Sequence, residues 1–463
     1  MKIITAFTNK SFGIGKNNKL PWSLPEDMHR FSKITTENTV VMGKNTWLSL
    51  NQTALKGRFN IVVTSEDGDG QVDNPNVVYI KKETLENIED VINYGDIFII
   101  GGSHLYREFV GRADTILATV IDQQFDCDTF FPTENLHKYD IQSSSPQLYS
   151  ASSNLSYRFV TYKLRKDNER HQEYQYLDLM SSILSKGEAR PDRTGVGTLA
   201  LFGTQMRFDI EHSVPFITTK YLAWKMVIYE LLWFLSGSCD SRILEKKGVN
   251  IWKGNSSREF LDSVGLQNYV EGDVGPLYSH SMRSFGAEYT GCETDYTNKG
   301  FDQLKHVINT LKTDPYSRRH LMTTFNPAVV DQCALMPCHG IAIQFYVSGD
   351  EEYPYLSCHV YCRSSDTFLG LPFNIASYSI LTYLIAKMVG MRPKDLIIST
   401  GDTHIYANHI EQVRAQLTRN PLPFPKLTVS DQVKNKDISQ VTIDDFQLDG
   451  YLFHPSIKAP MAI

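Results

Sequence analysis

Arg165-Lys-Asp-Asn-Glu-Arg-His171 is the stretch on which the organisation of this chain turns. It holds no aliphatic side chain, so it has nothing to bury. Before it, short β-rich runs alternate with helix-like ones. After it the period changes, and Tyr176, Leu177, Leu179, Met180, Ile183 and Leu184 recur at helical spacing. A polar run between two segments that each carry enough apolar residues for a core marks a domain boundary. The sequence therefore predicts one domain at 1–165, a linker at 166–171 and a second domain at 172–463. So short a linker predicts domains that pack closely rather than swing on a tether.

Outward toward the N-terminus, strands are predicted at Ile3–Ala6, Thr39–Met42, Asn60–Thr64, Val77–Ile80, Asp96–Ile100, Thr115–Ile121 and Tyr157–Leu164. Helices are predicted at Glu26–Ile34, Leu85–Asn93 and Ser103–Val110, with Pro25 and two acidic residues forming a good helix start. Strands interleaved with helices imply an α/β sheet. The Gly-, Asp- and Asn-rich run Glu66–Asn76 reads as a surface loop. Outward toward the C-terminus helices dominate, with β-like runs at Gly197–Arg207, Ala342–Val347, Tyr355–Arg363 and Asp395–Ser399.

Composition narrows the function. The chain has 463 residues, 41% hydrophobic and 21% charged, ordinary values for a soluble protein with a large core. A net charge of −6 argues against a general nucleic-acid binder, so any anionic ligand needs a local cluster of Arg and Lys. The apolar start, Met1–Asn9, is too short for a signal-peptide core, and the most apolar helical stretch, Tyr221–Leu235, carries Lys225 and Glu230. The expectation is a cytoplasmic protein without a membrane partner, an organellar location being left open. Seven cysteines, an odd number with no C-x-x-C pair, predict neither a disulfide framework nor a metal site.

In the front domain the pieces that carry chemistry are Gly13-Ile-Gly15, Leu20-Pro-Trp-Ser-Leu-Pro-Glu-Asp27, Val41-Met-Gly-Lys-Asn-Thr-Trp47, Lys56-Gly-Arg58 and Ile99-Ile-Gly101-Gly102-Ser-His-Leu-Tyr106. In this order and spacing they resemble dihydrofolate reductase across the whole domain. A cleft for a flat ring should be apolar with one carboxylate, and Asp27 with Phe31 one turn on supplies that. The resemblance implies that Asp27 hydrogen-bonds the pteridine and favours its protonation. It also implies that Ile4, Phe31, Leu50 and Leu55 line the folate pocket and that Arg58 grips the folate α-carboxylate as a bidentate pair. Toward the cofactor it implies Ile14, Gly15, Gly43, Lys44, Asn45, Thr46, Thr64, Ser65, Ile100, Gly101, Gly102, Ser103, His104, Leu105 and Tyr106. Either Ala6 or Phe7 fills the first-strand position beside the cofactor. The paired glycines let backbone approach a diphosphate at a helix start. Lys44 with its neighbouring hydroxyls favours NADPH over NADH.

In the rear domain Asp192-Arg193-Thr-Gly-Val-Gly-Thr198, Glu230-Leu-Leu-Trp-Phe-Leu, Asp314-Pro-Tyr-Ser-Arg318-Arg319, Pro337-Cys338-His339, Arg363-Ser364-Ser-Asp366, Phe368-Leu-Gly-Leu-Pro-Phe-Asn374 and Gly401-Asp-Thr-His404-Ile-Tyr406 together resemble thymidylate synthase to the terminal residue. The fold expected is an α/β dihydrofolate-reductase-like mixed sheet followed by an α+β thymidylate-synthase-like domain. The resemblance implies Cys338 as the nucleophile that adds to the uracil of dUMP, its thiolate favoured by nearby cations. Arg193 and Arg363 from one subunit, with Arg318 and Arg319 from its twin, would bind the phosphate with Ser364, in an obligate homodimer. Asn374 suits the O4 and N3–H edge of uracil, and His404 and Tyr406 suit the deoxyribose. Glu230 would carry protons and Asp366 would hold the pterin of 5,10-methylenetetrahydrofolate, near Trp252 and Leu371. His339 lies in the nucleotide set as a structural residue. The chain departs from the family pattern at Ser279, Ser281, Met282, Phe325 and Cys362, which bears on interface packing and turnover.

Overall fold

A computed structural model describes residues 1–65, 74–88, 94–166 and 169–461. It divides into two compact units. One comprises Met1–His171, Asn420–Lys426 and Asp449–Pro455; the other comprises Gln172–Arg419, Leu427–Leu448 and Ser456–Ile463.

The first unit is built on strand Lys2–Thr8, which runs parallel to both Ile97–Gly101 and Thr115–Ile121. Thr39–Gly43, Phe59–Thr64 and Val77–Lys81 extend the parallel array beyond Ile97–Gly101. On the other side Leu155–Leu164 joins Thr115–Ile121 antiparallel, making the sheet mixed. Strands with both faces covered read as near-continuous apolar runs, which is why these segments were legible. Alternation still sorts the first strand. Phe7 is fully buried among Phe12, Phe131 and the rest of one core. Ile4 lies in a different cluster, with Val40, Met42 and Trp47. Fully burying one such side chain contributes about 1.5–3 kcal/mol.

Helix Pro25–Thr35 opens with Pro25 and carries Glu26 and Asp27 in its first turn. Its residues Phe31 and Ile34 pack on the Ile4 cluster, so Asp27, four residues before Phe31, is carried to the same side. The predicted helix Leu85–Asn93 overlaps a 3-10 turn at Lys82–Asn87, and its last five residues lie outside those described. Most of the Glu66–Asn76 loop also lies outside them. Several short elements escaped the sequence reading, among them helix Lys44–Ser49, strands Tyr139–Ser144 and Leu148–Ser150, and the pairing of Gly13–Gly15 with Thr129–Phe130.

The second unit centres on a six-stranded sheet ordered Glu188–Arg190, Thr198–Asp209, Arg392–Tyr406, Tyr355–Asp366, Ala342–Ser348 and Leu321–Met322. Helix Gly370–Val389 is buried along most of its length and packs on one face of this sheet with helix Trp224–Ser236. On the outer face Gln344, Tyr346, His359 and Tyr361 are exposed at alternate positions, Tyr346 at 63%. Strand Arg392–Tyr406 is much longer than the predicted Asp395–Ser399 because it pairs along both neighbours, with Thr198–Asp209 and with Tyr355–Asp366.

Candidate active sites

In the first unit Asp27 accepts a 2.5 Å hydrogen bond from the hydroxyl of Thr119. Thr119 stands opposite Ala6 in the sheet register. Burial pushes the Asp27 carboxyl above its usual range, opposed by the Thr119 bond and by the charge of Arg30. Ala6 therefore stands beside Thr119 on one face of the strand, while Phe7 points into the core on the other. Thr119 was not singled out, because a lone Thr in a β run gives no signal of its partner.

Arg58 is buried against helix Pro25–Thr35. Its Nε donates to Thr35 Oγ1 at 2.8 Å, Nη1 to the Lys56 carbonyl at 2.8 Å, and Nη2 to the Ser32 carbonyl and hydroxyl at 3.1 Å each. These are neutral acceptors, and the guanidinium keeps its full charge for an anion. Phe31, Leu50 and Leu55 are partly buried around the Ile4 cluster and leave an apolar wall between Asp27 and Arg58.

Two glycine turns meet at the ends of neighbouring parallel strands. Gly43 precedes helix Lys44–Ser49 and Gly102 precedes helix Ser103–Phe109. A Cβ on Gly43 would lie 3.8 Å from the Gly102 nitrogen. Gly101 has φ of +122°, and a Cβ there would meet the Tyr106 hydroxyl and Thr46 Oγ1 at 3.3 and 3.4 Å. Glycine at a helix start lets phosphate oxygens approach the backbone closely. Lys44, Thr46, Gly102 and Ser103 are half-buried, Asn45, Ser65 and His104 are exposed, and Ile14, Thr64, Gly101 and Leu105 are buried. Gly15 and Ile100 are half-buried. Tyr106 is buried, with its hydroxyl donated to the Ile4 carbonyl at 3.1 Å, so it braces the first strand.

In the second unit Cys338 lies on the loop before strand Ala342–Ser348. Arg363 clamps that loop, Nε donating to the Pro337 carbonyl at 2.8 Å and Nη2 to that of Met336 at 3.1 Å. The Tyr278 hydroxyl sits 3.4 Å from the Cys338 sulfur and accepts the Cys338 N–H at 3.0 Å. Gly340, at φ +63°, lets the loop press against the Tyr378 hydroxyl where a side chain would collide. Burial pushes the Cys338 thiol up, with Tyr278 and then Arg363 acting in the opposite direction. In the single chain the desolvation outweighs the cation, which differs from a thiolate already favoured by the protein. Tyr278, absent from the sequence-predicted set, is the group in contact with the sulfur.

His339 stacks on Tyr278 at 4.3 Å and bonds the Tyr378 hydroxyl at 2.8 Å. Burial lowers its pKa to about 4, so the ring is neutral at pH 7. Glu230, on helix Trp224–Ser236, accepts a 2.8 Å bond from Trp252 Nε1. Burial raises its pKa to about 7, with Trp252 opposing. A carboxyl poised there can both give and take protons.

The sheet gathers the remaining residues. Asp366 pairs with His404, and Ser364 with Asp402, in the parallel register. His404 Nδ1 bonds Asp402 Oδ1 at 2.8 Å, and Tyr406 lies edge-on to His404 at 5.1 Å. The Tyr406 phenol, raised chiefly by burial, also feels the charges of Asp366, Asp192, Arg193 and Cys338, so the turn bearing Arg193 belongs to the same neighbourhood. That turn is held by Asp192, which accepts from the Thr194 and Gly197 N–H groups at 2.9 and 2.7 Å. Asp366 Oδ1 accepts from Phe368 N and Leu369 N at 2.9 and 3.2 Å, anchoring the start of the long helix. Asn374 is half-buried on that helix and Leu371 fully buried. Lys220, also missed, donates to the Phe368 carbonyl and has its pKa lowered to about 7 by burial, with Asp366 opposing. Arg318 and Arg319 are exposed, and among the described residues neither joins a carboxylate. Among the departures, Met282 and Cys362 are buried, and Ser279 donates to the Trp233 carbonyl at 3.3 Å.

Comparison with known proteins gives the family. Residues 1–164 match the family model for dihydrofolate reductase, and residues 174–463 that for thymidylate synthase. The whole chain is 39% identical to bifunctional dihydrofolate reductase-thymidylate synthase 2 of Arabidopsis thaliana, across 88% of that protein. It is 38% identical to the bifunctional enzyme of Paramecium tetraurelia, covering 98% of this chain and 100% of that one. It is also 38% identical to that of Leishmania major, covering 97% and 93%. The matches define a class, a folate reductase fused to an enzyme that methylates a pyrimidine nucleotide. The chain belongs to the family of bifunctional dihydrofolate reductase-thymidylate synthases. It is an enzyme that converts dUMP to dTMP and reduces dihydrofolate to tetrahydrofolate. No helix among the described residues is long and apolar enough to cross a membrane, and no group of three or more His, Cys, Asp or Glu is placed to hold a metal ion.

Proposed function

We propose that the front enzyme works with NADPH and the rear enzyme with 5,10-methylenetetrahydrofolate, at the residues named above, with the boundary between them at 166–171. NADPH supplies a hydride, and methylenetetrahydrofolate supplies the one-carbon unit and its reducing equivalents. The paired glycine turns at Gly43 and Gly101-Gly102 fit a diphosphate, with Lys44, Thr46, Thr64 and Ser65 toward the nucleoside end. Asp27 holds the pteridine edge and supports protonation of the ring, while Arg58 fixes the carboxylate tail at the far end of the apolar wall.

In the rear enzyme Cys338 sulfur bonds to carbon 6 of the uracil ring, which leaves carbon 5 nucleophilic. The desolvated thiol is ionised once the phosphate-binding arginines are complete, because a neighbouring cation favours the thiolate. Glu230 exchanges protons with the substrate through its near-neutral carboxyl. Arg193, Arg363 and Ser364 hold the phosphate, Asn374 the uracil edge, and His404 and Tyr406 the sugar. Asp366, Trp252 and Leu371 face the folate, and His339 keeps Tyr278 in place.

Arg318 and Arg319 serve the site of a second copy in a homodimer formed through the outer sheet face. The exposed alternation of Gln344, Tyr346, His359 and Tyr361 supports this, since an uncovered aromatic sheet face favours a partner. The single observation that carries the reading is Cys338, clamped by Arg363 and touched by Tyr278. A fluorinated deoxyuridylate analogue with methylenetetrahydrofolate should form a covalent adduct at Cys338, seen by mass spectrometry of the tryptic peptide. Absence of adduct, with turnover intact, removes the assignment.

A further inference from the structure

Arg30 belongs to no part of the mechanism above. It lies three residues after Asp27 on helix Pro25–Thr35, so the two side chains rise from adjacent turns, with Cβ atoms about 5–6 Å apart. Its guanidinium is laid over the ring of Phe159, 4.5 Å from the centroid. Phe159 belongs to an apolar patch with Trp22, Leu24, Ile121, Leu155 and Tyr157. The Arg30 Nη1 atom is buried and, among the described residues, finds no hydrogen-bond acceptor. Glu26, one turn earlier, does not neutralise it: its Oε2 is also buried and also without a partner. A guanidinium cannot shed its proton, so this is a permanent, poorly solvated charge whose field is little screened. Such a group is costly to bury. Packing alone would be served better by a neutral side chain of similar size.

We propose that Arg30 is a positioning residue of the reductase, a cation parked on Phe159 that favours the carboxylate form of Asp27 from one helical turn away. The inference rests on Asp27 as the acid of the reductase. The other groups around Asp27 leave Arg30 as the cation that acts on it. From strand Thr115–Ile121 comes the neutral hydroxyl of Thr119. Tyr106, from helix Ser103–Phe109, and Tyr157, from strand Leu155–Leu164, both feel Asp27, and burial keeps both protonated. Glu26, on the same helix, is the neighbouring carboxyl, its Oε2 buried and without a hydrogen-bond partner among the described residues. Burial therefore favours the acid form, whereas Thr119 and Arg30 favour the carboxylate. Arg30 stops the carboxyl from staying protonated at all working pH values, so that it can pair with a protonated pteridine.

Reduction of dihydrofolate consumes a proton, so its rate falls as pH rises. Removing the cation should raise the proton affinity of Asp27 and carry that fall to higher pH. The neutral variants Arg30→Gln and Arg30→Met are expected to move the midpoint of the alkaline fall in kcat/KM for dihydrofolate upward by roughly one unit. KM for NADPH should change little, and Arg30→Lys should keep the parent midpoint. Phe159→Leu, which loosens the guanidinium without removing it, should give a smaller shift in the same direction. Thymidylate formation by the same full-length chain serves as the folding control. A uniform loss of rate with the midpoint unmoved in the neutral variants and in Phe159→Leu would overturn the proposal. Asp27→Asn, run alongside, separates the two readings. If it keeps the alkaline fall, Asp27 is not the acid; if it removes the fall while the Arg30 variants leave theirs in place, only the role of Arg30 is lost.

Discussion

Asp27 and Glu230 are the same physical device used twice with different counterweights. Each is a carboxyl in the early or middle turns of a helix whose other inward residues are apolar, and each is pushed toward its protonated form by burial. Asp27 is answered by a hydroxyl and a guanidinium, Glu230 by a single indole N–H. The weaker counterweight leaves Glu230 at about 7. In the proposed roles, one site keeps an acid suited to pair with a cationic ring, and the other an acid suited to exchange protons near neutrality. Desolvation sets the direction in both, and the polar neighbours set how far it goes.

The comparison breaks most sharply if the two centres are not chemically independent. Cys338→Ser is expected to lower thymidylate formation by roughly 10⁴-fold or more while NADPH oxidation with dihydrofolate continues. Asp27→Asn should do the reverse, lowering the reductase by roughly 10²-fold at neutral pH. A coupled assay that follows both products reads the two variants together, and loss of both activities in either one would mean the sites are not separable.

Glu230→Gln should cost the synthase roughly 10²-fold in kcat and remove any inflection of its rate near pH 7. The same substitution tests the desolvation directly. A buried acid whose folded pKa, about 7, lies above its ordinary 4.5 adds stability below pH 4.5 that is lost as pH rises through 7. Glu230→Gln should therefore melt higher than the parent at pH 8 and alike below pH 4.5; an equal difference at both pH values would contradict the burial.

Tyr346→Asp on the outer sheet face should convert a dimer to monomers in sedimentation. It should lower the synthase while sparing the reductase, because in the proposed dimer only the synthase site takes arginines from its partner. The smallest effect is expected from Trp252→Phe. It deletes the bond that opposes burial, so the Glu230 pKa should rise and the synthase profile move to higher pH by about half a unit. A move to lower pH would assign the indole the opposite role.

Much of this was legible beforehand, for identifiable reasons. The strands of the first sheet and helix Pro25–Thr35 follow from apolar runs and a proline-led, acid-rich start, which are local signals. Glu230 stood out because a carboxylate in an apolar helix is costly without a task, whereas Cys338 and Asp27 stood out through the motifs around them, which resemble those of the two families. Thr119, Tyr278, Lys220 and Arg30 did not stand out. Each acquires its meaning from a partner far away in the chain, Thr119 from Asp27 and Tyr278 from Cys338, and nothing in the local sequence announces such a pairing.

By itself the sequence determined the chemistry available: two folate-handling halves, one nucleophilic sulfur, two carboxyls in apolar helices and the basic residues for anions. Tertiary structure alone decided the state of those groups. Which of Ala6 and Phe7 turns into the core depends on sheet register, and a shift of one residue turns every side chain to the other face. Whether Cys338 is a thiol and Glu230 a near-neutral acid depends on how much water packing removes and which donors it leaves within reach. Covalent identity fixes what a group can do, and the surrounding dielectric fixes which form of it is present.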